Sequence, residues 1–292
     1  MIDYETRSWL GTLVHMRGSV LPKLVPRMIV YGVLGAGAAY LHQHTGLAIP
    51  PIAHTLVGVA LGLLLVFRTN ASYDRFWEGR RLFGMIVNRS RDLVRQIVAY
   101  LGGDDAAARG ERELLVRHVN LLYALIRQFL RRERDLAVLG ALVTDEERAV
   151  LEPVAVRPTV VVTWITRVLG RAADAGRLTE QRLQLLDGNL TSFVDSWGGA
   201  ERILKTPIPF AYAQHIKLFL VLFCLTVPFA LVESMRWATP AAVAVLVFGL
   251  FGIEEIGIEI EDPFGHDAND LPLDRIGETI AADTAAMLRL RS

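Results

Sequence analysis

The stretch MIVYGVLGAGAAYLHQHTGLAIPPIAHTLVGVALGLLLVF, residues 28–67, holds no Asp, Glu, Lys or Arg across 40 residues. A helix needs roughly 20 apolar residues to cross the hydrocarbon core of a bilayer. The run is long enough for two spans, and TGLAIPP at 45–51 supplies the break between them. Pro50 and Pro51 together disfavour a helix interior but open a helix well. The spacing predicts a first span near 27–44 and a second near 51–67. Working outward, 218–232 and 237–253 are also charge-free, separated by the short ESMR. With their flanks they predict spans near 215–235 and 238–256, Thr239-Pro240 opening the last. The expected fold is all-α, with four transmembrane helices per subunit and a helical cytosolic domain. Two buried hairpins of a soluble protein are the other reading of this pattern, and the composition weighs against it.

That composition is 52 % apolar and 21 % charged over 292 residues, with 31 Lys+Arg balancing 31 Asp+Glu. Disorder needs low hydrophobicity and high net charge, so it is excluded. A neutral balance removes the usual electrostatic case for a nucleic-acid partner. Cys224 is the only cysteine, which excludes an intrachain disulfide and thiolate clusters.

Orientation follows from the basic residues. Residues 68–215 hold 22 of the 31, and Arg7, Arg17, Lys23 and Arg27 precede the first span. The positive-inside rule places both termini and the long middle segment in the cytoplasm, as expected of a multi-pass inner-membrane protein. The layout is then an N-terminal cytosolic or interfacial segment (1–27) and a first transmembrane hairpin (28–67). A cytosolic helical domain (68–214), a second hairpin (215–256) and a cytosolic C-terminal segment (257–292) follow. The leader is long for a signal-peptide n-region, and it reads as mature protein with an interfacial helix carrying Trp9, Leu10, Leu13 and Met16.

The middle segment has helical periodicity. Apolar positions predict a helix over 72–100 stopped by Gly102-Gly103, and another over 111–134. Thr144 with Glu147 three residues on is a capping box for a short helix ended by Pro153. Helices over 157–173 and 179–204 follow; the last carries Leu183, Leu186, Leu190, Val194 and Trp197 at spacings of three and four.

Catalytic signals are missing: no GxSxG, HExxH or Walker pattern occurs, so no enzyme is expected. His42 and His44 lack a nearby carboxylate to complete a metal site. The glycines of GVLGAG (32–37), inside an apolar helix, read as small residues that permit close packing. In the second span Val59, Leu63 and Phe67 share one face, open either to lipid or to a partner, with Gly58 and Gly62 beside them. That helix runs on into FRTNASYDRFWEGRRLFG (67–84).

Together with ERILKTPIPFAY (201–212) and EDPFGHDANDLPLD (261–274), this stretch resembles the bacterial branch of the bestrophin family of ion channels. The resemblance implies a homopentamer around a central pore, a hydrophobic neck lined by the second span, and a cytosolic aperture. Carried over residue by residue, the neck positions fall on Val59, Leu63 and Phe67, and the aperture, an apolar side chain before TPIP, falls on Leu190. Animal members clasp calcium in the acidic tail. Here Asp262, Asp267 and Asp270 remain, but His266, Ala268 and Asn269 stand where acids would be expected. Capping of the final helix is the favoured use of these acids over a metal site, and no cofactor is expected.

A narrow apolar neck gates by dewetting. The expected partners are small monovalent ions, the lipid bilayer and further copies of the chain. Within the family, animal members pass anions and bacterial relatives lean towards cations such as sodium. Glu254 and Glu255, ending the fourth span, either pair with Arg68, Arg75 or Arg80 or bias the path towards cations; chloride conduction is the alternative. A secondary transporter, which places charges at the membrane midplane, and a non-conducting scaffold are the rival classes.

Overall fold

The computed structural model describes residues 11, 12 and 15–290, and every regular element among them is helical. The helices are α1 (Leu21–Thr45), α2 (Pro51–Tyr100), α3 (Ala106–Leu130), α4 (Asp145–Leu151), α5 (Arg157–Asp174), α6 (Glu180–Lys205), α7 (Phe210–Met235), α8 (Thr239–Glu259) and α9 (Leu273–Arg289). Residues 1–10, 13 and 14, among them Trp9, Leu10 and Leu13 of the expected interfacial helix, lie outside the described residues, and Met16 is exposed.

Three stretches are long and apolar enough to cross a membrane: α1, the N-terminal part of α2, and 210–259. The third is broken into α7 and α8 by a one-turn 3-10 segment, Arg236–Ala238, where Arg236 takes a positive φ of 47°.

Described residues up to 77, with 207–263 and 267–270, form one compact unit. In it α1 packs on α7 and α8, which also pack on each other. Its core joins Leu24 and Tyr31 of α1, Leu61 and Leu65 of α2, Phe223 and Cys224 of α7, and Val247 and Phe251 of α8. Without a hydrophobic drive between helices in lipid, close contact needs small residues. Gly35 meets this need against α8, since a Cβ there would lie 3.0 Å from the Pro240 Cα. Gly58 does so against the Phe223 ring at 3.3 Å, whereas Gly62 faces nothing within 4 Å. Pro26 and Pro228 sit inside α1 and α7, as apolar spanning helices tolerate.

The rest, 78–206 with 264–266 and 271–290, forms a second unit. Here α3 packs on α5, α6 and α9, and Phe83 of α2 sits against Phe264 and edge-on to Tyr123. The capping box forms: Thr144 accepts from the Glu147 N–H, and the Glu147 carboxylate accepts from the Thr144 N–H. That carboxylate also takes Arg117 in a bidentate pair at 2.6 and 2.7 Å and meets His118 Nε2 at 2.8 Å. α3 ends at Leu130, four residues before the expected boundary, because Arg132 turns into the left-handed region at φ 59°.

Candidate ion pathway

The N-terminal half of α2 has two opposite faces. Leu61, Leu65, Arg68 and Ser72, at spacings of four, three and four, are buried within the subunit. The other side carries Ile52, Leu56, Val59, Leu63, Val66 and Phe67, all open in the single chain. Val59, Leu63 and Phe67 are 70 %, 55 % and 55 % exposed. Beyond Phe67 the same open face changes character, to Asn70, Tyr73, Asp74 and Trp77. One helix thus presents an apolar stripe that continues, without a break in the helix, into a polar and aromatic one.

The charges at the end of α8 are tied down. Glu255 is buried and pairs with Arg27 at 2.9 Å and Lys23 at 3.2 Å, and Lys23 also reaches Glu259 at 2.8 Å. Lys217 stands 4.0 Å from buried Glu254. The expected partners Arg68, Arg75 and Arg80 are replaced by bases of α1 and α7, the neighbours on which α8 packs. Cations there also complement the C-terminal dipole of α8, and a buried carboxylate demands such a partner.

Arg68 has a different acid. Its guanidinium, buried, donates to Glu261 at 2.5 Å and to Ser72 Oγ at 2.7 Å. Glu261 accepts from the Ile208 N–H at 3.1 Å, and its carbonyl accepts from Arg75 Nε at 3.2 Å. Residues from all three quoted motifs therefore meet at Glu261. The one signal of this residue in the sequence is its place as the carboxylate heading the third motif.

In the tail, Asp262 and Asp267 are exposed and Asp270 is buried. Asp270 closes a turn, accepting from the Asp267 N–H at 2.8 Å while donating its own N–H to the Asp267 carbonyl. Burial, with Asp267, Asp262 and Glu259 nearby, raises its carboxyl to about 6. The expected cap on the last helix does not form, for the N-cap position of α9 is Pro272, with no side-chain bond. A hard cation wants six or more oxygen ligands; among the described residues no three His, Cys, Asp or Glu side chains gather around one point. His42 Nδ1 lies 3.0 Å from the Leu47 carbonyl, and the His44 ring lies against Tyr40.

Leu190 does not stand on an open surface. It is 2 % exposed, between buried Leu186 and Phe193 on α6. The polar trio before it, Asp187-Gly188-Asn189, does not loosen the helix, for Asn189 is held to α2, accepting from Arg89 at 2.9 Å and donating to Gln96 at 2.8 Å. The apolar side chain exposed on α6 is Leu185, at 54 %.

Residues 1–286 match the family model described as Bacterial/Fungal Bestrophin protein. The chain belongs to the bestrophin family. A voltage-dependent anion channel-forming protein of Synechocystis is 37 % identical over 286 residues, covering 97 % of this chain and 93 % of the relative. Its namesake in Nostoc is 38 % identical over 278 residues, covering 94 % and 90 %. The crystal structure of a bacterial bestrophin homologue from Klebsiella pneumoniae superposes with a TM-score of 0.85 at 27 % identity, covering 91 % of this chain and 98 % of that one. The chain is accordingly an all-helical membrane protein of the bestrophin family.

Proposed function

We propose that this bestrophin-family chain assembles as a homopentamer and conducts small monovalent ions along an axis lined by α2. The observation that carries the proposal is the open stripe of α2. Closed cyclic symmetry lets identical helices enclose a path. Val59, Leu63 and Phe67 would then form three stacked apolar rings, a neck that conducts when wetted and closes when dry. Asn70 and Asp74, continuing that face, suit a water-filled vestibule and would be costly against lipid. Four spans per subunit, from α1, the start of α2, α7 and α8, leave both termini and the 78–206 unit in the cytoplasm, with the protein in the inner membrane. For the aperture on α6, Leu185 replaces Leu190, because only an open side chain can face an axis shared between copies.

Anions are the favoured permeant ions. The relatives' names support this, and the acids that argued for cations, Glu254 and Glu255, face Lys217, Arg27 and Lys23. Light scattering on purified protein should give the mass of five 32.4 kDa chains. In a planar bilayer under asymmetric sodium chloride, the reversal potential should lie on the chloride side. A monomer or dimer mass overturns the assembly, and reversal at the sodium potential overturns the anion preference.

A further inference from the structure

In the second unit, the ends of three helices enclose a pocket of about 450 Å³ that the ion pathway does not use. Its walls come from the C-terminal ends of α3 and α6, the start of α5 and the loop after α3. Leu125, Phe129, Pro158 and Leu204 make an apolar floor. Around it stand Arg132, Arg134, Arg157 and Lys205 against a single acid, Glu133. Its size falls within the range of small-molecule sites, and its make-up, apolar with a few convergent polar groups, is typical of them.

The charges are not balanced inside the subunit. Glu133 is engaged by His266 at 3.2 Å and Arg127 at 3.4 Å, and Lys205 by Glu201 at 2.5 Å. Arg157 is buried with no carboxylate partner, and its donors go to the carbonyls of Leu151, Arg134 and Glu152. Arg132 and Arg134 make no ion pair among the described residues. Gln128, 2 % exposed, gives its amide N–H to the Asp135 carbonyl at 2.7 Å, while its Oε1 has no partner. A buried acceptor left unpaired is costly and calls for a donor. Cations at the ends of α3 and α6 answer the helix dipoles, but dipoles require neither an apolar-floored cavity nor an orphan acceptor.

We propose that this pocket binds a small organic monoanion with an apolar body, its carboxylate on Arg132 and Arg134 and a ligand N–H or O–H on Gln128 Oε1. Arginine suits the carboxylate, since its planar fork matches the two oxygens. The apolar floor and the orphan acceptor together select an aromatic or aliphatic acid with one hydrogen-bond donor over inorganic anions.

The test is isothermal titration of hippurate, which has a ring, an amide N–H and one carboxylate, into the full-length protein in non-ionic detergent. No ion flux is read, so the outcome is independent of the channel reading. Saturable binding is expected, with none for the neutral methyl ester. Arg132→Ala and Arg134→Ala should each weaken it about tenfold or more, the worth of one charge-assisted hydrogen bond. Gln128→Leu should weaken hippurate but not 3-phenylpropionate, which lacks the donor. Arg157 is left intact because it holds the loop carbonyls, and each variant's light-scattering mass checks that it has folded. Absence of saturable binding at about 10 mM hippurate, an affinity weaker than the millimolar end of specific binding, overturns the proposal. So does equal binding to the Arg134→Ala protein.

Discussion

Leu190→Ala separates the two roles open to this residue. Its side chain is 2 % exposed on α6, so truncation leaves a cavity lined by buried neighbours rather than a wider water path. Leu→Ala at such a site costs about 2–5 kcal/mol, and this helix, held by Asn189 one residue away, has little freedom to collapse. Taking about 3 kcal/mol, and about 2–4 °C per kcal/mol for a unit of this size, the melting temperature should fall by about 6–12 °C. Leu185→Ala, on the exposed face of the same helix, should change stability by no more than about 0.5 kcal/mol. Both variants are compared with the parent by thermal unfolding in one detergent at one scan rate, since irreversible unfolding makes the midpoint rate-dependent. Single-channel conductance is recorded in parallel. An unchanged melting temperature for Leu190→Ala, with altered conductance, would refute the burial argument and return Leu190 to the ion path.

Arg68→Met should cost about 3–5 kcal/mol, because it strands the Glu261 carboxylate; thermal unfolding reads it, and a drop no larger than for an exposed arginine would deny the Glu261 junction its role. Gly35→Val should destabilise by about 1–3 kcal/mol through overpacking against Pro240, and a neutral result would show that α1 and α8 can part. Acid should weaken the second unit in two windows. Burial holds His118 below its ordinary 6.5, so its neutral form is favoured on folding and stability falls as pH drops through that region. Burial pushes Glu147 up, but hydrogen bonds from Arg117, His118 and the Thr144 N–H outweigh it and hold the carboxyl at about 2. Its contribution is complete above 4.5 and lost as pH falls towards 2. Glu147→Gln should therefore cost about 2 kcal/mol near neutrality and little at the acid end; a cost independent of pH would contradict the assignment.

What the sequence revealed was what local rules govern. The apolar stretches, the capping box of Thr144 and Glu147 and the helix starts at Pro51 and Arg157 depend on residues within a turn or two. The open and buried stripes of α2 were half visible, since periodicity places Val59, Leu63 and Phe67 together but does not say which face meets the core. Long-range choices were hidden. Nothing near Glu255 announces Lys23 and Arg27, more than 200 residues away, and Arg68 finds Glu261 rather than the acids of the fourth span. Leu190 was misplaced for the same reason. Asp187-Gly188-Asn189 reads as soft and wet until Arg89 and Gln96 of α2 are brought alongside.

The central claim is that the open stripe of α2 encloses the ion path, and unitary conductance of the Val59→Ala, Leu63→Ala, Phe67→Ala triple variant in a planar bilayer tests it most directly. Three smaller rings hold water more readily than a narrow dry neck, so the account predicts discrete openings in the parent and a larger unitary conductance in the variant. Identical conductance in the two proteins, at the same oligomeric mass, would place the stripe against lipid and contradict it.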